Sequence, residues 1–429
     1  MCGPSPANVR GLDRRHDKAE VRIPVARCHS TQAFISRVPE STAAEVRSAV
    51  EAASAAQMTW RDMPMGKTLA DADAEFERGI DAVETACSVA NDSGGVHHLH
   101  QAADIYTINQ PLGVCIAICP FNFPFMIPLW STPYALLAGN TMVLKPSELA
   151  PSASQILAEC FLGAGFPPGV FNVVHGKMRV VNSLLSEPAV RAVNFVGTEI
   201  AGERVYEHAQ ATRKRIQAEC NAKNHGVIVG DASKAKTLYA IVGSAFGAAG
   251  QRCMSLSVVI FVGETRAWVD ELVGLAASLV VGCGLDPLVE VGPLITPAAK
   301  ARVEDMIAGA VEEGASVALD GRGLDVPDYP EGNFVGPTVL TGVKPHMSCY
   351  QEEIFGPVLC CMEVDTLDEA IDLVNENKYG NGCTLFTKNP ATAQIFQRSV
   401  NVGQVGINVP ILAPSGPVAR TGNKDSFLG

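Results

Sequence analysis

Short apolar runs near residues 114–119, 141–144, 170–174, 192–196 and 226–229 alternate with segments of helical spacing, and no other feature constrains this chain so tightly. An apolar run of strand length followed by a helical pattern reads as a buried strand with its crossover helix. Repeated in series, that unit builds a parallel, doubly wound α/β sheet whose ligands bind beyond the carboxyl ends of the strands. A second alternating region runs from about Leu256 to Val409, with strands expected near 256–262, 315–319, 356–364 and 382–386. Ahead of both, Val46, Val50, Ala53 and Ala56 space a helix from Thr42 to Trp60. Leu69, Ala72, Phe76, Ile80, Val83 and Ala86 space another from Thr68 to Ala90. Residues 1 to about 40 read as irregular, and Gly/Pro clusters at 284–293 and 410–417 read as loops.

A chain of 429 residues with 47% hydrophobic content can bury the cores of two or three domains, which excludes a disordered or collagen-like protein. A net charge of −12 with no long basic run argues against non-specific nucleic-acid binding. Thirteen cysteines without regular spacing suit a reducing compartment better than a disulfide framework, and no C-x-x-C pair repeats as a structural zinc site would require. The best candidate membrane span, around Gly113 to Trp130, is broken by Pro120, Asn122, Pro124 and Pro128, so a soluble protein is expected. His97, His98 and His100 have no acidic or cysteine ligand spaced near them and are expected on an exposed strand or loop rather than at a metal.

Five short stretches carry chemistry. In Gly250-Gln251-Arg252-Cys253 a cysteine stands in a small-residue turn beside a guanidinium. A neighbouring arginine and a following helix N-terminus would both lower the thiol pKa, although the tetrapeptide alone equally suits an inert packed cysteine. Asn122, in Phe121-Asn122-Phe123-Pro124 just past a strand, can donate to the oxyanion formed when a thiolate attacks a carbonyl, or can simply form the turn. Lys145 and Glu148 at another strand end suit a ribose or phosphate, or make an ordinary surface pair. Gly197 and Thr198 precede a helix start whose backbone N–H groups can face a pyrophosphate. The fifth stretch is Glu352-Glu353-Ile354-Phe355-Gly356-Pro357.

In this order the five stretches resemble the aldehyde dehydrogenase superfamily, and within it the CoA-acylating methylmalonate-semialdehyde dehydrogenases. The narrower likeness rests on Pro111-Leu112-Gly113-Val114-Cys115, Ile127-Pro128-Leu129-Trp130, Ala222-Lys223-Asn224-His225-Gly226 and the run Ala245 to Met254. It continues in Gly332 to Thr338 and Gly403 to Pro410, and extends from about Ser30 to the last residue. The resemblance implies two doubly wound α/β domains: a cofactor domain over 1–221, with oligomerisation strands near 100–112, and a catalytic domain over 222–409. Residues 410–429 would form a shortened C-terminal segment. It implies Cys253 as the nucleophile, with Asn122 and the Cys253 backbone N–H on the oxyanion. NAD would bind without the usual G-x-G-x-x-G fingerprint: Lys145 and Glu148 at the adenosine ribose, Gly197 and Thr198 at the pyrophosphate, Glu353 at the nicotinamide ribose, and backbone around Cys119 and Phe121 lining the groove. Arg78 and Arg252 would hold the carboxylate of methylmalonate or malonate semialdehyde, since guanidinium suits bidentate recognition of a carboxylate. Coenzyme A is the implied co-substrate, the small-molecule aldehyde the other, and a homo-oligomer, a tetramer in the family, the implied assembly. The implied setting is valine and pyrimidine breakdown in the mitochondrion. On the residues alone, Arg10, Arg14, Arg15, Arg22 and Arg27 hint at a transit peptide that Asp13, Asp17 and Glu20 dilute, which leaves a cytoplasmic location open.

The chain departs from that pattern at several points. Glu219 stands where hydrolytic relatives carry a general base and the CoA-acylating ones an asparagine, which opens a hydrolytic alternative with Glu219 activating water. Asn221 replaces a usual glycine, and Arg420 replaces a substrate-pocket phenylalanine. Between Met63 and Gly66 a helical segment of relatives is skipped, and the chain stops at Ser426-Phe427-Leu428-Gly429 before their oligomerisation strand. Those two gaps raise a third possibility, a shortened inactive homologue, with an edge near Asp104 to Asn109 left without its partner strand and stability reduced.

Overall fold

The computed structural model describes residues 25–27, 34–37, 66–89, 97–100, 103–411 and 420–429, the first two segments, 97–100 and residue 103 by backbone alone. The helix expected over Thr42 to Trp60, and most of the Met63 to Gly66 junction, lie outside the described residues. A first unit, Met1–Arg47, holds β1 (Val25–Arg27) and β2 (Phe34–Arg37), paired antiparallel. The second unit, Ser48–Gly429, holds the rest.

In that unit β3 (His97–His100) and β4 (Ala103–Tyr106) pair antiparallel. Five strands come next: β5 (Val114–Ile118), β6 (Thr141–Lys145), β7 (Phe171–Val173), β8 (Val190–Val196) and β9 (Arg215–Glu219). They form a parallel sheet in the order β9-β8-β5-β6-β7. Its two faces are read directly from the sequence of β5. Ile116 and Ile118 pack with Val193, Phe195, Val205 and Leu185 on one side. Cys115, Ala117 and Cys119 pack with Met142, Ile127 and Trp130 on the other. That period of two, with both faces apolar, is what helices on both sides of a parallel sheet demand.

A second sheet begins at β10 (Asn224–Ile228), shortly after β9 ends, and continues with β11 (Leu256–Val262), β12 (Ser316–Leu319), β13 (Thr338–Thr341) and β14 (Val358–Val364). After the short β15 (Tyr379–Gly380), β16 (Gly382–Phe386) and β17 (Gln404–Ile407) complete it. The order is β12-β13-β14-β11-β10-β16-β17, with only β12 antiparallel. The sequence pattern misses β9, β13 and β17 of the two sheets, β9 offering only Ile216 and Ala218 in alternation with polar residues, and it reads residues 1 to about 40 as irregular where β1 and β2 form. The helix expected from Thr68 spans Leu69–Val89 and buries Phe76, Gly79, Ala82 and Ala86.

The C-terminal residues are structural members of the fold, which the reading of 410–429 as a shortened segment does not anticipate. β18 (Asn423–Lys424) pairs with β15, and β19 (Phe427–Leu428) extends the first sheet antiparallel to β9. Lys424 Nζ donates to the carbonyls of Val374, Asn375 and Asn377, at 3.1, 2.9 and 2.8 Å. This return of the chain sets Arg420 beside Glu219 at the end of β9.

Candidate active site

Cys253 is carried on a turn between the helix Lys234–Phe246 and β11. Ala248 (φ 51°), Ala249 (φ 54°) and Gly250 (φ 70°) are successively left-handed, a conformation that costs about 1–2 kcal/mol per non-glycine residue and persists only where the surroundings hold it. Asp71 supplies part of that hold by accepting the Ala248 N–H at 2.9 Å. A Cβ at position 250 would lie 2.0 Å from the Gly356 carbonyl oxygen, so only glycine fits. Gln251 braces the turn by accepting the Ile295 N–H at 3.0 Å. The Cys253 carbonyl receives Asn224 Nδ2 at 2.7 Å and Asn381 Nδ2 at 3.1 Å.

Two expectations about the thiol are overturned here. Beyond Cys253 the chain enters the strand β11, not a helix N-terminus, so no helix dipole acts on the sulfur. Arg252 turns away to an ion pair with Asp71, in space that the missing side chain of Gly247 leaves open. The thiol pKa is accordingly pushed up to about 12, first by burial and then by the charges of Glu219 and Glu353. The Cys253 backbone N–H and Arg420 oppose that shift. A raised thiol pKa means little thiolate near neutrality, and the thiolate is the nucleophile. Alkylation of Cys253 by iodoacetamide in the free protein is therefore expected to accelerate about tenfold per pH unit from about pH 7 to 10 without levelling off. Peptide mass spectrometry of the modified chain measures it, and a plateau below about pH 8 would contradict the geometry.

Cys253 lies where two cavities meet. The smaller, about 270 Å³, is lined by Asp71, Arg78, Trp130, Tyr239 and Arg252 among others. The larger, about 660 Å³, lies beyond the carboxyl end of β8 and is lined by Phe121, Gly197, Thr198, Glu353 and Phe355. The structure thus brings Arg78 and Arg252 to the thiol on one side, and Phe121, Gly197, Thr198 and Glu353 on the other. Arg78 makes no ion pair among the described residues, whereas Arg252 is engaged by Asp71.

Asn122 sits between these two spaces and lines neither. Its side chain faces a hollow of about 30 Å³ shared with Lys67 and Gln251. Nδ2 donates to the Gln251 carbonyl at 3.0 Å, while the buried Oδ1 has no hydrogen-bond partner among the described residues. Lys67 Nζ donates to the Asn122 carbonyl at 2.6 Å and is ion-paired with the buried Glu75. Glu75 Oε1 in turn accepts the N–H groups of Phe125 and Met126 at 2.9 and 3.1 Å.

The remaining expected residues sit along the same strand ends. Cys119 N–H donates to the Lys145 carbonyl at 3.0 Å, joining the ends of β5 and β6. Lys145 is buried, which lowers its pKa, donates to the Gly176 carbonyl at 3.2 Å and lies 3.8 Å from Glu148. Glu353 Oε1 accepts the Ala222 N–H at 2.9 Å, and burial raises its carboxyl to about 7. Thr198 stands at the N-cap of the helix Glu199–Ala211 without a capping bond of its own, and the helix's first N–H is accepted by Asn221 Oδ1 at 2.9 Å. Glu219 lines neither cavity, and its Oε1 accepts from Arg420 Nε at 2.9 Å.

The Aldehyde dehydrogenase family profile matches residues 64–429. The chain belongs to the aldehyde dehydrogenase family. An acylating methylmalonate-semialdehyde dehydrogenase of Arabidopsis thaliana, a mitochondrial protein by name, is 46% identical over 93% of this chain and 71% of its own length. The acylating methylmalonate-semialdehyde/malonate-semialdehyde dehydrogenase of Bos taurus, also named mitochondrial, is 46% identical over 93% of this chain and 80% of its own. The crystal structure of methylmalonate-semialdehyde dehydrogenase from Oceanimonas doudoroffii superposes with a TM-score of 0.86 at 38% identity, covering 90% of this chain and 81% of that one. An NAD complex of a Sinorhizobium meliloti protein ascribed to the same enzyme class superposes at 0.83 and 33% identity, covering 97% and 91%.

Several residues of this aldehyde dehydrogenase site carry no motif and escape a reading of the sequence. Asp71, Asn381 and Lys67 act at a distance in the chain, through contacts no local pattern announces. Glu75 does leave a signal: it falls on the apolar face of the helix Leu69–Val89, where a carboxylate needs a partner.

Proposed function

We infer that this aldehyde dehydrogenase is an NAD-dependent, CoA-acylating methylmalonate/malonate-semialdehyde dehydrogenase. The observation that carries the reading is the junction at Cys253 of a cavity bearing two arginines with a larger cavity beyond the strand ends. Cys253 Sγ bonds to the aldehyde carbon, its proton leaves, and the carbonyl oxygen becomes an oxyanion. The Cys253 backbone N–H would donate to that oxyanion, and Asn122 would join it with its second amide hydrogen once its side chain turns from its hollow toward the thiol. Arg78 orients the substrate carboxylate in the smaller cavity.

The larger cavity suits a dinucleotide. Glu353 offers a carboxylate for ribose hydroxyls, Gly197 removes a side chain from the helix start, and the rings of Phe121 and Phe355 meet edge to face with centroids 6.1 Å apart. Lys145 and Glu148 lie further along the same strand ends. Bound NAD supplies the hydride acceptor that turns the Cys253 adduct into a thioester. The thiol of CoA then attacks the thioester carbon and Cys253 leaves with the thiol's proton; the substrate carboxylate departs as CO2, and the α-carbon it leaves takes a proton from solvent, so the product is propionyl-CoA or acetyl-CoA. Valine and thymine catabolism in the mitochondrion would be the setting, in keeping with the names of the relatives.

The assignment of 1–221 to cofactor binding and 222–409 to catalysis is supported by the break between the sheets at β9 and β10, while β19 draws the last residues into the cofactor sheet. A homo-oligomer is supported by Ile105 and Ile108, 58% and 69% exposed along and just after β4. Among the described residues no helix is long and apolar enough to cross a membrane. The second reading, hydrolysis with Glu219 as base, is favoured by the charge that Glu219 exerts on Cys253. Incubation with malonate semialdehyde and NAD, with and without CoA, is the test. NADH and acetyl-CoA formed only with CoA support the first reading, free acid formed without CoA supports the second, and no NADH in either sinks both.

A further inference from the structure

Arg420 has no part in the chemistry described above, yet it is bound on two sides at the margin of the site. Its Nε donates to Glu219 Oε1 at 2.9 Å, with the two side chains only 13% and 17% exposed. Its guanidinium carbon lies 4.4 Å from the centre of the Trp130 ring, and Trp130 is itself a wall of the cavity that opens on Cys253. A guanidinium lying over an indole and bonded through Nε to a carboxylate is held on two sides, each contact limiting the freedom the other leaves. The pair is also close enough to Cys253 for both charges to act on its thiol, Glu219 raising and Arg420 lowering it. β18 and β19 anchor this arginine, because they bring the chain back to the end of β9.

We propose that Arg420 is a positioning residue that clamps Glu219 against the Trp130 wall, withholding it from water and leaving the Cys253 thioester to a thiol acceptor. A general base must take a proton from a water placed at the thioester carbon, so it needs a lone pair and the freedom to reach it. In Glu219 the bond from Arg420 Nε to Oε1 ties the carboxylate to the side, so its remaining lone pairs, on Oε1 and on Oε2, are held away from a water at the thioester carbon. Hydrolysis would add water across the bond, giving free acid and the Cys253 thiol. Transfer exchanges one thioester for another, and with a thiol acceptor no carboxylate has to activate water. The proposal rests on Cys253 being the acylated residue, and it explains how a glutamate can stand here without committing the chain to hydrolysis.

The test uses the full chain and p-nitrophenyl acetate, which acetylates Cys253 with release of p-nitrophenolate and needs neither NAD nor CoA. The burst reports acylation, and the steady state reports attack by water on the acetyl-enzyme. Arg420→Leu is expected to raise the steady-state rate on the order of tenfold or more while keeping the amplitude of the burst, though the burst slows with the loss of a cation that lowers the Cys253 thiol pKa, because general-base assistance by a freed carboxylate is worth at least that much. The gain should vanish in Arg420→Leu/Glu219→Gln, which a merely loosened pocket would not do. Arg420→Gln, which keeps a planar group on Trp130, guards against misfolding of the leucine variant and is expected to behave alike, whereas Arg420→Lys should stay slow. A steady-state rate within about twofold of the parent in Arg420→Leu or Arg420→Gln with an intact burst overturns the clamp, as does a gain that survives Glu219→Gln. The CoA reading fails separately, if CoA added to the parent acetyl-enzyme yields no acetyl-CoA.

Discussion

Cys253→Ala is expected to eliminate NADH formation from malonate semialdehyde while leaving NAD affinity within about twofold of the parent, a loss of turnover on the order of 10⁴-fold or more. The expectation stems from where the residue sits. Its carbonyl is held by Asn224 and Asn381, its turn by Asp71 and Gln251, and none of these contacts uses the sulfur. Removing Sγ therefore leaves the turn and the larger cavity standing, and deletes the sulfur at which the two cavities meet. Serine at the same position should be nearly as poor, because a hydroxyl in surroundings that already suppress the thiolate has still less access to its anion. Stopped-flow detection of NADH with titration of NAD binding in the same preparation decides it. Turnover above about a hundredth of the parent rate would take the nucleophile's role away from Cys253.

The parts of this molecule legible in the sequence are those in which one local pattern suffices. The alternation in Val114 to Cys119 places the strand and both of its faces, and the phase of Leu69, Phe76, Val83 and Ala86 places the helix that lines the substrate cavity. The five motifs assemble because each stands at the carboxyl end of a parallel strand or beside the turn before β11, where such sheets gather their ligands. The electrostatics of the nucleophile are another matter. Adjacency of Arg252 and Cys253 in the chain suggests a depressed thiol pKa, but neighbours in an extended turn point apart, and Asp71 draws the guanidinium to the other side. The cation that does favour the Cys253 thiolate is Arg420, far along the chain and delivered by β18 and β19. Asn122 shows the same limit: the sequence places it at the right strand end, whereas only packing shows its amide bound to the Gln251 carbonyl.

The two arginines of the smaller cavity are expected to separate under mutation. Arg78→Leu should lower kcat/KM for malonate semialdehyde on the order of 30-fold or more, since removing one partner of a desolvated charge pair costs about 2–5 kcal/mol. Propanal, which has no carboxylate, should lose little, because Arg78 makes no ion pair with any described residue whose loss would disturb the site. Arg252→Leu should behave differently. Its guanidinium is the partner of Asp71, and Asp71 also holds the Ala248 N–H in the left-handed turn that presents Cys253. Freeing Asp71 slackens that turn, so both aldehydes should suffer, with the carboxylated one suffering more. The variant Asp71→Asn offers a control in which Arg252 keeps its side chain and loses its partner. There the loss should fall on kcat for both substrates, and KM for the semialdehyde should fall as the released guanidinium becomes available to the carboxylate. Steady-state kinetics on the two aldehydes for the three variants is the measurement. Equal losses on propanal and malonate semialdehyde in Arg78→Leu would make that arginine a structural residue and leave the substrate carboxylate without its anchor.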